Sequence, residues 1–144
     1  MRAALILALS LLALQGSGAL ACGYCVEDKV AAAYDHSLIV LALERKHEVA
    51  FFAIEGPLAA SVELQKVLRG MIESTRGVDS GTARVSLASA SMSFAYDPAR
   101  PGLGPIMRAL DGKLAVKGLS LTMLRVINEA PSSRPLALSA REGR

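Results

Sequence analysis

The sequence predicts an α+β domain built on a single sheet, in which strand, helix, strand, strand, helix and strand follow an added N-terminal helix. Three observations predict it. Residues 47–54, "HEVAFFAI", form an apolar run rich in Val, Phe and Ile and closed by Gly56-Pro57, the pattern of a strand buried on both faces. Two later stretches carry apolar residues at spacings of three and four, and three others alternate with a period of two.

The elements follow in order. Residues 26–45 read as one helix, with Val26, Val30, Ala33, Ser37, Val40 and Leu41 on an apolar strip that needs covering. The apolar run after it is the central strand. Between Ala59 and Thr75, Leu64, Val67, Leu68, Met71 and Ile72 share one helical face, and Glu63, Lys66, Arg69 and Glu73 share the other. Ser61 is placed to cap this helix and Gly77 to end it. Ala83, Val85 and Leu87, then Met92, Phe94 and Tyr96, alternate with smaller or polar neighbours, so two antiparallel strands joined near residues 89–91 are expected. Asp97-Pro98 stops the second of them. A Gly/Pro-rich piece leads into a helix bearing Ile106, Met107, Leu110 and Leu114, and residues 118–127 alternate again as a fourth strand. This order is the split βαββαβ of ferredoxin-like folds, with two helices on one sheet face. The added helix is left to cover the other face or to pack at an edge.

Ahead of these elements, residues 1–21 read "MRAALILALSLLALQGSGALA": an early Arg, an apolar core of about a dozen residues and a small-residue end. That core falls short of the ~20 residues that span a bilayer. The expected organisation is a cleaved signal peptide over 1–21, a C-x-x-C segment with the added helix over 22–46, the ferredoxin-like domain over 47–128 and a disordered tail over 129–144. Cleavage after Ala21 makes Cys22 the first residue of the exported, periplasmic or extracytoplasmic protein. Lipidation of Cys22 is the alternative processing and the one route to a membrane; Ala19 stands where such signals usually carry Leu.

Composition excludes several functions. The formal net charge is +3 with both signs scattered, so no basic stripe addresses nucleic acid. Aromatic residues make up 4% with no Trp, too few for a base-stacking platform. No nucleophile elbow, phosphate loop, paired carboxylates or Ser-His-Asp pattern is present, so a non-enzymatic role is expected. Oligomeric state leaves no signature in the sequence.

The runs "VAFFAIEG", "SVELQKVLRGMIESTRGV", "ARVSLAS", "MSFAYDP" and "GPIMRAL" together resemble the heavy-metal-associated domain of copper chaperones and metal-transporting ATPases, over roughly residues 48–127. Gly77-Val78 and Tyr96-Asp97-Pro98 carry the likeness best. The resemblance implies a loop between the first strand and first helix holding a metal between two cysteines. Here that loop reads "EGPLAASVEL": Gly56 matches, Pro57 and Leu58 replace Met and Thr, and Ala59 and Val62 stand in the cysteine positions. Neither Ala nor Val ligates a soft metal.

The two cysteines of the chain lie instead at Cys22 and Cys25, in "LACGYCV". Two thiolates at this spacing suit copper(I) or zinc(II), and a free α-amine on Cys22 adds a third donor. The same pair can close a structural disulfide or exchange thiols in an oxidising compartment. No strand precedes the motif, unlike a thioredoxin. Asp28 is close enough in sequence to join the pair. On a continuous helix His36 lies ~16 Å of rise beyond Cys25 and cannot share its ion, and His47 is more distant still. Met71, Met92, Met107 and Met123 fall on faces expected to be core. The sequence therefore points to soft-metal binding or delivery through Cys22 and Cys25, with a metal-transport or metal-receiving protein as partner. A metal-free interaction scaffold closed by a Cys22–Cys25 disulfide, or a thiol–disulfide protein, is the alternative.

Overall fold

The computed structural model describes residues 25–129. The leader, Cys22 and the tail from residue 130 lie outside the described residues. The described chain runs α1 (Val26–Ala32), α2 (His36–Glu44), β1 (Glu48–Glu55), α3 (Val62–Glu73), β2 (Arg84–Ser86), β3 (Ser91–Tyr96), α4 (Leu103–Ala115) and β4 (Ser120–Ile127). The strands form one antiparallel sheet in the order β2-β3-β1-β4. This is the ferredoxin-like βαββαβ arrangement, with helical cover added ahead of β1.

β1 is central and buried on both faces, as its unbroken apolar run requires. On one face Phe52, Ile54, Met92 and Phe94 meet Leu68 and Ile72 of α3 and Ile106, Leu110 and Leu114 of α4. The Phe52 and Phe94 rings stack there with centroids 5.3 Å apart. On the other face Val49, Phe51 and Ala95 are covered by Val30 and Ala33 from the first helical segment and by Leu38, Ile39 and Ala42 from the second. The sheet is thus enclosed between two helical layers, and the added segment covers the second face.

That segment is two helices, which corrects the single helix expected over residues 26–45. The chain breaks at 33–35, where the Asp35 side chain accepts from the backbone N–H of Leu38 at 3.1 Å and starts α2. The break also resets the helical phase. α2 buries Leu38, Ile39 and Ala42, whereas Val40 and Leu41, expected on the covered strip, face solvent. α2 ends in a Schellman turn: Lys46 sits at φ 62°, with Lys46 N–H donating to the Leu43 carbonyl and His47 N–H to that of Ala42, both at 2.9 Å.

α3 begins as expected, with Ser61 Oγ accepting from Leu64 N–H at 3.0 Å. Met92 is buried and Met71 and Met107 pack against the core, but Met123 is exposed, against expectation. The register between β1 and β4 shifts between Phe51 and Phe52. At this irregularity Leu124 packs into the second core and the neighbouring Arg125 reaches Glu27 of α1. Edge placement leaves Met123, opposite Phe52, without a covering neighbour.

Among the described residues, no helix is long and apolar enough to cross a membrane.

Candidate functional site

The loop after β1 is where the family resemblance would place a metal, and its geometry is closely constrained. Gly56 has φ 118°, and a Cβ built on it would lie 2.5 Å from the carbonyl oxygen of Gly118. The β1–α3 and α4–β4 loops therefore touch at this end of the sheet, and only glycine permits the approach. Leu58 of the loop packs against the core, and Ala59 and Val62 supply no donor atom.

α1 reaches the same end from the second face. Its C-terminal end is fixed over β3, where Ser93 Oγ donates to the Ala33 carbonyl at 2.7 Å. One turn earlier, Lys29 lines a depression with Ile54, Glu55, Gly56 and Leu58, and with the β2–β3 turn at 87–90. Cys25 caps α1 a further turn back, on the helix face that carries Lys29. Its own backbone is extended, φ −64° and ψ 143°, its side chain is half-buried, and its carbonyl accepts from Lys29 N–H at 3.2 Å. The helix thus brings Lys29 to the rim where the Gly56 loop lies, with Cys25 one turn before it. Across the sheet, Arg125 of β4 bonds to Glu27 and ties this end of α1 to the edge strand.

Of the residues the sequence singled out, Cys25 stands at the start of α1, one turn before Lys29, and Cys22 lies outside the described residues. His36 opens α2, beyond the far end of α1. Its ring stacks on Tyr34, whose ring in turn stacks on Phe51. The eight residues from Cys25 to Ala32 span ~10 Å of rise, so the helix break does not bring His36 to the cysteine. His47 is held elsewhere, its Nδ1 bonded to Asp79 Oδ2 at 2.6 Å beside the start of β1. Asp28 is exposed on α1. Among the described residues no group of three or more His, Cys, Asp or Glu side chains is arranged to hold a metal.

Lys29 was missed by the sequence reading. It is 9% exposed, unusual for a lysine. The available signal was its position: Lys29, Val30 and Ala33 lie on the sheet-facing side of α1, whereas Val26, expected on the covered strip, is 45% exposed. Ser91 Oγ, also buried, has no hydrogen-bond partner among the described residues.

No family model matches the chain, and no curated protein matches it. Solved structures do align with it. A copper-binding domain from a P-type ATPase matches over 55% of this chain and 96% of that domain, at 14% identity and a TM-score of 0.44. Oxidized MerP from Ralstonia metallidurans CH34 matches over 55% of this chain and 99% of its own, at 13% identity and a TM-score of 0.44. The N-terminal domain of a potential copper-translocating P-type ATPase from Bacillus subtilis, in its Cu(I)-loaded state, matches over 58% of this chain and 94% of its own, at 23% identity and a TM-score of 0.44. The likeness is one of outline, and no ligand residue passes from these proteins to this chain.

Proposed function

We propose that this chain is an exported, non-enzymatic module that carries a soft metal, copper(I) or zinc(II), as cargo between Cys22 and Cys25, and passes it to a metal-transporting or metal-receiving protein. The observation that carries the reading is the course of α1. The helix packs on the second sheet face, with Cys25 one turn before the Lys29 that lines a depression with Gly56 and Leu58. The Gly56 loop itself carries no soft-metal donor at Ala59 or Val62. Cleavage after Ala21 would add the α-amine of Cys22 as a third donor. Export rests on the apolar leader, and the absence of catalysis on the lack of any catalytic motif in the sequence.

A second reading, an interaction scaffold closed by a Cys22–Cys25 disulfide, is favoured by the outer face of α2, where Leu41 is 53% exposed and Val40 also reaches solvent, beside the exposed Tyr34 of the preceding turn. Copper(I) affinity and metal content of the mature form beginning at Cys22, reduced and anaerobic, decide between the two when compared with a Cys22→Ser, Cys25→Ser variant. Tight one-to-one binding lost in the variant is the expected result. Equal absence of binding in both proteins would leave the scaffold.

A further inference from the structure

A cavity of about 590 Å³ opens where the chain leaving α3 meets the chain entering α4. Arg76 and Arg100 line it, and every other lining residue is a glycine, alanine or proline. Neither arginine makes a hydrogen bond or an ion pair among the described residues, whereas Arg84 is held by Asp35 and Arg125 by Glu27. Gly77 has φ 100°, and a Cβ on it would lie 2.5 Å from Pro101 Cγ, so the two segments that bear the arginines are in close contact. Further bonds fix each of them. Val78 bridges to Tyr96, and Ala99 N–H donates to Asp97 Oδ1 at 2.8 Å. From α4, Lys113 Nζ donates to the Met71 carbonyl at 3.2 Å and to Thr75 Oγ1 at 2.9 Å, bracing the end of α3.

We propose that this cavity binds a small phosphate monoester, with the phosphate between Arg76 and Arg100 and a compact apolar body on Pro101 and Pro105. A guanidinium stays charged at any working pH, and its fork of N–H donors matches phosphate oxygens. The two arginines present two positive charges that no lining side chain offsets. A monoester above its second pKa of about 6 carries two negative charges and cancels both, while a carboxylate cancels one. The charges nearby do not compete for the arginines. Glu73 is exposed on α3, Asp97 Oδ1 is taken by Ala99 N–H, Asp79 is held by His47, and Arg108 on α4 adds to the positive field. The backbone carrying both arginines is set before the ligand arrives, which lowers the ordering cost of binding. This site shares no residue with the proposed metal ligands, and the two readings stand or fall separately.

The test titrates phenyl phosphate into the metal-free mature protein beginning at Cys22, in low salt at about pH 8 where the monoester is a dianion. Binding is followed by the backbone amide resonances. Saturable shifts at Gly77, Ala99 and Ala109 in the millimolar range or below are expected, with benzoate and inorganic phosphate binding more weakly. Arg76→Gln and Arg100→Gln are each expected to weaken phenyl phosphate binding about tenfold. Arg45→Gln, which removes an exposed arginine at the end of α2, should leave it unchanged. Absence of saturable shifts, retention of binding in both Arg76→Gln and Arg100→Gln, or an equal loss in Arg45→Gln would overturn the proposal. Benzoate binding as tightly as phenyl phosphate would overturn the preference for a dianion, and inorganic phosphate binding as tightly would overturn the role of the apolar wall.

Discussion

Arg84 grips Asp35 from across the sheet, with Nε at 3.0 Å and Nη2 at 2.8 Å from the same carboxylate oxygen, Oδ2. The other oxygen, Oδ1, caps α2 through Leu38 N–H. One aspartate therefore starts the second added helix and ties it to edge strand β2, and both contacts stabilise its charged form. The Leu38 N–H, and after it the Arg84 guanidinium, hold the Asp35 carboxyl below its ordinary value of 3.8.

The first prediction follows from that lowered value. The unfolded chain binds a proton at Asp35 more readily than the folded one, so this stabilisation is fully present above about pH 5 and is lost as pH falls through the folded value. Asp35→Ala should cost about 1–2 kcal/mol at neutral pH. It should also flatten the acid limb of a stability profile measured by urea unfolding between pH 6 and 3. A variant whose acid limb matches the wild type would show that the pairing contributes nothing.

Tyr96 supplies the opposite sign. Its hydroxyl donates to Glu48 Oε2 at the far end of β1, and burial, reinforced by that carboxylate, pushes the phenol well above its ordinary value of 10. Stability from the neutral phenol is present below pH 10 and is lost only as pH rises beyond it. Absorbance titration should show a tyrosine component, that of Tyr96, resisting ionisation above pH 10. Tyr96→Phe should remove the resistant component and cost about 1–2 kcal/mol, because Glu48 loses its donor.

Gly56 tests the contact between the β1–α3 and α4–β4 loops. An alanine there combines an unfavourable φ of 118° with a Cβ 2.5 Å from the Gly118 carbonyl, a backbone atom that cannot swing aside. A loss of about 2–3 kcal/mol in denaturant unfolding is expected. A near-neutral Gly56→Ala would mean that the two loops separate at little cost.

Much of the fold was legible because its signals are local. The unbroken run around Phe51 and Phe52 marked the central strand, and Ser61 marked the start of α3. The failures fall where distant parts of the chain meet. Asp35 breaks the first helical segment through a local cap, but the Arg84 that holds it lies far along the chain. Lys29 drew no notice in the sequence, and its burial followed only from laying α1 on the sheet. Met123 followed the alternation of an inward residue, yet it lies on an edge strand beside a register shift.

The sequence by itself determined the order of strands and helices, the C-x-x-C at 22–25 and the loss of donors from the Gly56 loop, because each depends on neighbouring residues and their periodicity. Only the tertiary structure decided that the added segment is two helices on the second sheet face, and that Lys29 is buried beside the Gly56 loop. Those outcomes depend on which surfaces exclude water against one another, and that follows from packing between residues far apart in the chain.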